Sequence, residues 1–285
     1  MADDGVSGFA PEGGPRVREA GLDCAGLDVS WARSRPAHVL RELILRGLLS
    51  PAMDVYTRRR VTGTESLSGL EAPVLFVANH SSHMDTPAIL CALPGRWRRR
   101  TAVAAAADYF YRRRGTAHAM SLAFNTVPVR RDGGGLAPSS ASHLDLLIDE
   151  RWNLLLFAEG TRSRDGSIGR LRSGAAVLAL EHGIAIVPIH VSGTREAMPP
   201  GQRWMHREPG RHLSRRRPIE IRFGAPIRPR AGEHRGEVME RVRLFFAASG
   251  AVTTPDEPSR PGNGRGAAAG GLPTRLTGAR TSAKS

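Results

Sequence analysis

Residues 73–85 read Pro-Val-Leu-Phe-Val-Ala-Asn-His-Ser-Ser-His-Met-Asp, a short apolar run followed by a polar loop. The run at 73–78 is typical of a buried strand, and the segment TPAILCAL at 86–93 is typical of a helix. Short apolar runs alternate with helical segments in this way along most of the chain. That alternation predicts an α/β fold, in which ligands bind where strands end and loops begin.

The segments on either side extend the same pattern. Apolar residues at helical spacing predict an amphipathic helix over 38–49 with Arg41 and Arg46 on its polar face. Further helices are predicted over 142–152, 173–183 and 236–248, and further strands over 101–107, 126–129, 153–158, 184–191 and 218–224. We therefore expect a single α/β domain with a mixed, largely parallel central sheet flanked by helices.

Composition sets the expected limits of this domain. Residues 1–33 and 251–285 are rich in Gly and Pro and show no sustained hydrophobic periodicity. Segments of this composition bury too little apolar surface to offset the entropy lost on ordering. We expect a disordered tail at each end, the C-terminal one basic, and a folded domain over 34–250.

The charge balance narrows the classes of partner. The chain has 41 Lys and Arg against 27 Asp and Glu, a net charge of +14, which favours anionic partners such as acidic lipid or phosphorylated molecules. Nucleic acid is not an expected partner, because aromatic residues make up only 5% and no zinc-finger or RNP-like motif is present. The two cysteines exclude a disulfide scaffold.

The hydropathy of the chain indicates whether it can span a membrane. No apolar stretch reaches the roughly 18 residues of a spanning helix, and the acidic start of the chain does not resemble a secretory signal. We expect a cytoplasmic protein that touches a membrane without crossing it. Helix 38–49 is then expected either to lie in the membrane interface or to pack on the sheet.

The loop after the first strand carries a candidate general base. His80 follows the strand directly, and its neutral imidazole is suited to proton abstraction near physiological pH. Asp85, five residues on at a helix start, can hold the other ring nitrogen and stabilise the imidazolium. His80, His83 and Asp85 also offer three metal ligands, but no further cluster completes a site, so no metal and no cofactor is expected.

Three more strand ends carry candidate binding residues. Glu159-Gly160-Thr161-Arg162 offers a flexible backbone, a hydroxyl and a guanidinium that fits phosphate oxygens. Arg130 and Arg131 end the strand TVPV, and strand alternation allows only one of them to enter the crevice. Pro188 lies within a strand, which predicts a sheet edge or a bulge because proline cannot donate to a ladder.

Taken in order, these four segments resemble the blocks of the glycerolipid acyltransferase family, whose bacterial type member acylates lysophosphatidic acid. The matching blocks are N-H-x4-D at Asn79–Asp85, an arginine-ending block at Val127–Arg131, F-x-E-G-T-R-S at Phe157–Ser163 and V-P-I at Val187–Ile189. Ala158 stands where the family has a proline, so the turn before Glu159 is less constrained.

The resemblance implies a role for each residue. His80, oriented by Asp85, would deprotonate the hydroxyl of a lysophospholipid, most simply 1-acylglycerol 3-phosphate, for attack on an acyl thioester. Glu159, Gly160, Thr161 and Arg162 would hold the glycerol phosphate with Arg131 as a second phosphate contact, and Pro188 would shape the acyl side. The expected donor is acyl-CoA or acyl-carrier protein. Because the implied acceptor is a lipid, the resemblance also implies peripheral contact with the inner face of the membrane. The alternatives are an acyltransferase for another lipid or an amine, and a non-catalytic lipid-binding module.

Overall fold

The computed structural model describes residues 29–107, 114–132, 135–163, 165–209 and 215–252. Most of the two expected tails, together with Cys24, lies outside these residues. The described part begins earlier than the predicted domain, because Ser30–Arg33 forms a short 3-10 helix with Ala32 buried.

A seven-stranded sheet forms the centre of the domain, in the order β1-β9-β8-β2-β7-β3-β4. Every neighbouring pair is parallel except β8 and β9, which run antiparallel, so the predicted mixed and largely parallel sheet is confirmed. The strands are β1 (Thr57–Thr62), β2 (Leu75–Ala78), β3 (Thr101–Ala106), β4 (Thr126–Val129), β7 (Asn153–Phe157), β8 (Ile186–Ser192) and β9 (Arg217–Phe223). A separate two-stranded hairpin joins β5 (Arg131–Asp132) to β6 (Gly135–Leu136).

Helices flank the sheet on both faces. They are α1 (Arg35–Glu42), α2 (Ser50–Tyr56), α3 (Asp85–Ala92), α4 (Gly95–Arg98), α5 (Arg114–Phe124), α6 (Pro138–Asp149), α7 (Gly174–His182), α8 (Thr194–Ala197) and α9 (Arg235–Ala248). A π-helical segment, Leu43–Leu49, connects α1 to α2, and a 3-10 helix covers Thr64–Leu67. In the part of the chain that the structure describes, no helix combines the length and the apolar character needed to span a membrane.

Strand alternation divides the core between the two faces of the sheet. On one face, Val77 and Leu156 belong to a buried cluster with Phe246 of α9. On the other face, Phe76 and Leu155 belong to a second cluster with Leu45 of the π-helical segment. Residues one position apart on a strand therefore serve opposite cores, which explains why the central strands are uninterrupted apolar runs.

The prediction that Arg41 lies on the polar face of helix 38–49 is wrong. The Arg41 side chain is buried and donates to the backbone carbonyls of Ala32, Ser121 and Leu122. Ser121 and Leu122 lie in the last turn of α5, at the negative end of the helix dipole, which attracts cations. Burial lowers the pKa of Arg41 to about 10. The exposed side of the helix instead carries the apolar residues Val39, Leu40, Leu43 and Leu48.

The predicted edge at Pro188 is wrong, because β8 lies in the interior of the sheet, but the predicted bulge is present. The carbonyl of Pro188 accepts from the Gly224 N–H, so the proline nitrogen faces the same side, just beyond the last residue of β9. The pairing on this side shifts by one residue, because the three steps from Ile186 to Ile189 lie opposite the four steps from Phe223 to Ile227. Pro188 faces this bulge, so its missing N–H removes no ladder hydrogen bond.

Candidate active site

A cavity of about 1320 Å³ opens along the carboxyl ends of the strands. Parallel strands end at one edge of the sheet, so the loops that follow β2 and β7 meet there, together with the upper residues of β3. The inner wall is apolar and includes Val103, the three alanines 104–106, Met120 and Phe124. The polar lining includes His80, Thr161 and Arg162, so the cavity combines an apolar interior with an imidazole, a hydroxyl and a guanidinium group.

His80 and Asp85 are in direct contact. The Nδ1 atom of His80 lies 2.8 Å from Oδ2 of Asp85, and the imidazole stacks on the Phe157 ring with centroids 3.9 Å apart. An ionised carboxylate only accepts hydrogen bonds, so Nδ1 carries the proton and Nε2 is the basic nitrogen. The contact thus fixes both the tautomer and the orientation of a ring that lines the cavity.

Asp85 is fully buried and held by several donors at the N-terminus of α3. Besides the His80 ring, Oδ2 accepts from the backbone N–H groups of Ser81 and Ser82 at 2.7 and 2.8 Å. The other oxygen, Oδ1, accepts from the Thr194 hydroxyl at 2.5 Å. These donors and the N-terminal end of the helix dipole stabilise the negative charge that burial alone would disfavour.

Thr194 was not a candidate from the sequence, because it lies outside the four blocks and 109 residues beyond Asp85. Asn79 belongs to the first block, but no role was predicted for it. Its side-chain amide bonds both the carbonyl and the N–H of Val191, at 2.9 and 2.8 Å, and so fastens the end of β2 to β8.

Glu159 is buried and bridges two loops. Its Oε1 accepts from the His80 backbone N–H at 3.1 Å, and its Oε2 accepts from the Gly169 N–H at 3.0 Å. Burial raises the pKa of Glu159, while these two backbone donors act in the opposite direction. The structure therefore places the carboxylate behind the loop that carries His80, between backbone groups.

The other predicted binding residues fall into three groups. Gly160, Thr161 and Arg162 line the cavity, and Gly160 has a φ of +70° that favours glycine in the turn after β7. Pro188 is buried in β8 against Gly224 and is absent from the described lining of the cavity. The Arg131 side chain lies outside the described residues. Arg172 and Arg203 also line the cavity, although neither was a predicted binding residue.

His83 also lines the cavity. Burial, and after it the neighbouring Arg162 and His80 side chains, lowers the pKa of His83 to about 4, so this side chain is neutral at physiological pH. Across the described residues, no three His, Cys, Asp or Glu side chains gather in a way that would hold a metal ion.

Comparisons with known proteins agree on one family. A model of the family described as Acyltransferase matches residues 58–192. The chain is 28% identical over 142 residues to the 1-acyl-sn-glycerol-3-phosphate acyltransferases LPAT1, chloroplastic, of Arabidopsis thaliana and BAT2, chloroplastic, of Brassica napus. The match covers 50% of this chain but only 38% and 39% of the relatives, so the chain spans about two fifths of their length.

A solved structure supports the same fold. The crystal structure of the 1-acyl-sn-glycerophosphate acyltransferase PlsC from Thermotoga maritima superimposes with a TM-score of 0.53 at 20% identity. The superposition covers 81% of this chain and 92% of that one.

Proposed function

This chain belongs to the glycerolipid acyltransferase family, and we propose that it transfers a fatty acyl group from a thioester to the hydroxyl of 1-acylglycerol 3-phosphate, giving phosphatidic acid. The observation that carries the proposal is the His80–Asp85 pair, with Nδ1 2.8 Å from Oδ2, on a cavity that also holds an arginine and an apolar interior. Both curated relatives carry the name of this reaction.

In the proposed reaction, Nε2 of His80 removes the proton of the acceptor hydroxyl while its oxygen attacks the thioester carbonyl carbon. The tetrahedral intermediate collapses with cleavage of the carbon–sulfur bond, and the imidazolium returns the proton to the leaving thiolate. Asp85 stabilises the imidazolium between these steps. A thioester is reactive enough for this direct transfer, so no covalent acyl-enzyme is required.

The acceptor phosphate is assigned to the arginine side of the cavity. Arg162 lines the cavity with His80, and its guanidinium matches the spacing of phosphate oxygens. Thr161 and Gly160 line the wall beside it, and Arg172 offers a second guanidinium from the lining. Arg131 remains a proposed phosphate contact from the family resemblance alone.

Two of the residues predicted to contact substrate are better explained as supports. Both oxygens of Glu159 accept backbone N–H groups in the buried space behind His80, so we assign Glu159 to holding the catalytic loop. Pro188 is buried against Gly224, and we assign the acyl chain to the apolar wall formed by Val103, the alanines 104–106 and Phe124 instead. The donor is proposed to be acyl-CoA or acyl-carrier protein.

Peripheral contact with a membrane is proposed from the outer side of the N-terminal helices. Leu43 and Leu48 are 63% and 61% exposed, and Leu49, beside them in the same segment, lines the cavity. Exposed leucines next to the cavity mouth suit a helix lying in the lipid interface on the cytoplasmic side. A flotation assay with anionic vesicles tests this proposal: Leu43→Glu with Leu48→Glu should weaken binding, whereas Leu146→Glu, an exposed position on α6, should not.

The acceptor is tested with matched lipids. Purified protein is given a labelled acyl-CoA and either 1-acylglycerol 3-phosphate or 1-acylglycerol, which lacks the phosphate. We expect transfer to the phosphorylated lipid only, and Arg162→Ala should raise the KM for that lipid. Equal rates with both acceptors would reject the phosphate clamp and favour the alternative of another lipid or an amine. Vesicle binding without any transfer would favour a lipid-binding module.

A further inference from the structure

The Thr194 side chain is fully buried, and its hydroxyl lies 2.5 Å from Oδ1 of Asp85. We propose that Thr194 is a positioning residue of the acyl-transfer centre, which acts on His80 by fixing the rotation of the Asp85 carboxylate. This inference rests on the proposed function, in which His80 is the base and Asp85 its partner.

The direction of the hydrogen bonds follows from the chemistry of the groups. The ionised Asp85 carboxylate has no proton to give, so the Thr194 hydroxyl must donate to Oδ1. The Ser81 hydroxyl lies 3.2 Å from the Thr194 oxygen and therefore donates to it. A chain of donors thus runs from Ser81 through Thr194 to Asp85.

The two oxygens of the carboxylate are held from different parts of the fold. Oδ2 is held by the loop after β2, through Ser81, Ser82 and the His80 ring. Oδ1 is held by Thr194, at the turn from β8 into α8. With donors on both oxygens the carboxylate cannot rotate about its Cβ–Cγ bond, and Oδ2 stays directed at Nδ1. Since Asp85 has no exposed surface, bulk water cannot take the place of the threonine hydroxyl.

The backbone at this turn is also fixed. Gly193, immediately before Thr194, has a φ of +80°, and a Cβ at that position would lie 2.1 Å from the Pro218 carbonyl oxygen. The turn is thus packed against β9 with no space for a side chain. This packing, together with the hydrogen bonds from the Asn79 amide to the Val191 backbone, fixes the position of Thr194 relative to Asp85.

The experiment uses pairs that differ by one hydroxyl. Thr194→Val removes the hydroxyl at constant shape, and Thr194→Ala differs from Thr194→Ser by the hydroxyl alone. Thr101→Val is the matched control, because Thr101 is 2% exposed and its hydroxyl donates to a backbone carbonyl, that of Trp97, at 2.8 Å. For each purified variant, kcat and both KM values are measured with 1-acylglycerol 3-phosphate and acyl-CoA, and thermal unfolding is recorded.

We expect Thr194→Val and Thr194→Ala to lower kcat about tenfold to a hundredfold, the range for a lost hydrogen bond to a charged group, with both KM values within about threefold of wild type. Thr194→Ser should recover most of kcat, and Thr101→Val should keep it. The proposal is overturned if the hydroxyl-free variants keep kcat within twofold, or if the loss falls on KM. It is equally overturned if both lose the folded state that Thr194→Ser retains, since the hydroxyl would then be structural. Full activity of His80→Ala would instead refute the proposed function.

Discussion

Replacing Asp85 with Asn separates the two effects of the carboxylate on His80, its charge and its hydrogen-bond acceptor. Three donors converge on Oδ2: the N–H groups of Ser81 and Ser82, which can only donate, and Nδ1 of His80. The amide oxygen of Asn must take this place, because an NH2 group there would face two N–H groups. The NH2 group then faces the Thr194 hydroxyl, which can accept. His80 therefore keeps its acceptor and its tautomer and loses only the negative charge.

The size of that loss follows from the geometry. With Nδ1 and Oδ2 2.8 Å apart, the centres of charge of an imidazolium and a carboxylate lie about 4 Å apart. Two unit charges at that distance attract by about 4 kcal/mol at an effective dielectric constant of about 20. The attraction acts on the transition state, where His80 is protonated, so Asp85→Asn should lower kcat by about 10³.

Initial rates of labelled acyl transfer to 1-acylglycerol 3-phosphate, with thermal unfolding as the folding control, test this value. Asp85→Ala, which removes both the charge and the acceptor, should lose more activity than Asp85→Asn. A loss of only a few fold in Asp85→Asn would show that the charge does not act on the base. A loss as complete as that of Asp85→Ala would show that the hydrogen-bond assignment, and with it the tautomer, is wrong.

Three further outcomes are expected. Glu159→Gln keeps one acceptor for two N–H groups, those of His80 and Gly169, and the unpaired donor should cost about 1–3 kcal/mol of stability. The melting temperature should fall by about 2–10 °C, and kcat should fall with it. An unchanged melting temperature would contradict the bridging role of Glu159. Gly193→Ala should unfold the domain or abolish transfer, because the new Cβ would overlap the Pro218 carbonyl oxygen. Gly232 is the control, because it has a similar φ of +75° but nothing lies within 4 Å of the new Cβ. Gly232→Ala should therefore lower the melting temperature only slightly. The pKa of His83 falls from its ordinary value of 6.5 to about 4 on folding, so the unfolded chain binds more protons between those pH values. Wild type should thus lose stability relative to His83→Gln as the pH falls from 7 to 4.5, and a constant difference in melting temperature would exclude the shift.

The central strands could be predicted from the sequence because each is an apolar run buried on both faces. Strand β1 could not, since its sequence TRRRVT contains three consecutive arginines. It is an edge strand whose only described strand partner is β9, and Arg58 and Arg60 point to solvent while Thr57 is buried. Edge strands tolerate charged residues, so apolar content does not reveal them.

Local pattern also failed where a side chain is held by distant partners. Arg41 has the spacing of an outward-facing residue, but it is buried by hydrogen bonds to the carbonyl of Ala32 and to those of Ser121 and Leu122, which lie 80 and 81 residues away. The five-residue spacing of His80 and Asp85 is local, so their contact could be predicted. The contact between Thr194 and Asp85 joins the turn after β8 to the N-terminus of α3, 109 residues apart, so no sequence spacing predicts it.

The most direct test of the account is the rate of labelled acyl transfer by His80→Ala relative to wild type. The matched control is His182→Ala, because His182 lies 2.9 Å from Asp145 in a second His–Asp pair whose residues are absent from the lining of the cavity. Removal of the base should lower kcat by about 10²–10⁴ while the protein stays folded, and His182→Ala should remain near wild type. Transfer by folded His80→Ala at a rate within a few fold of wild type would contradict the assignment of His80 as the base.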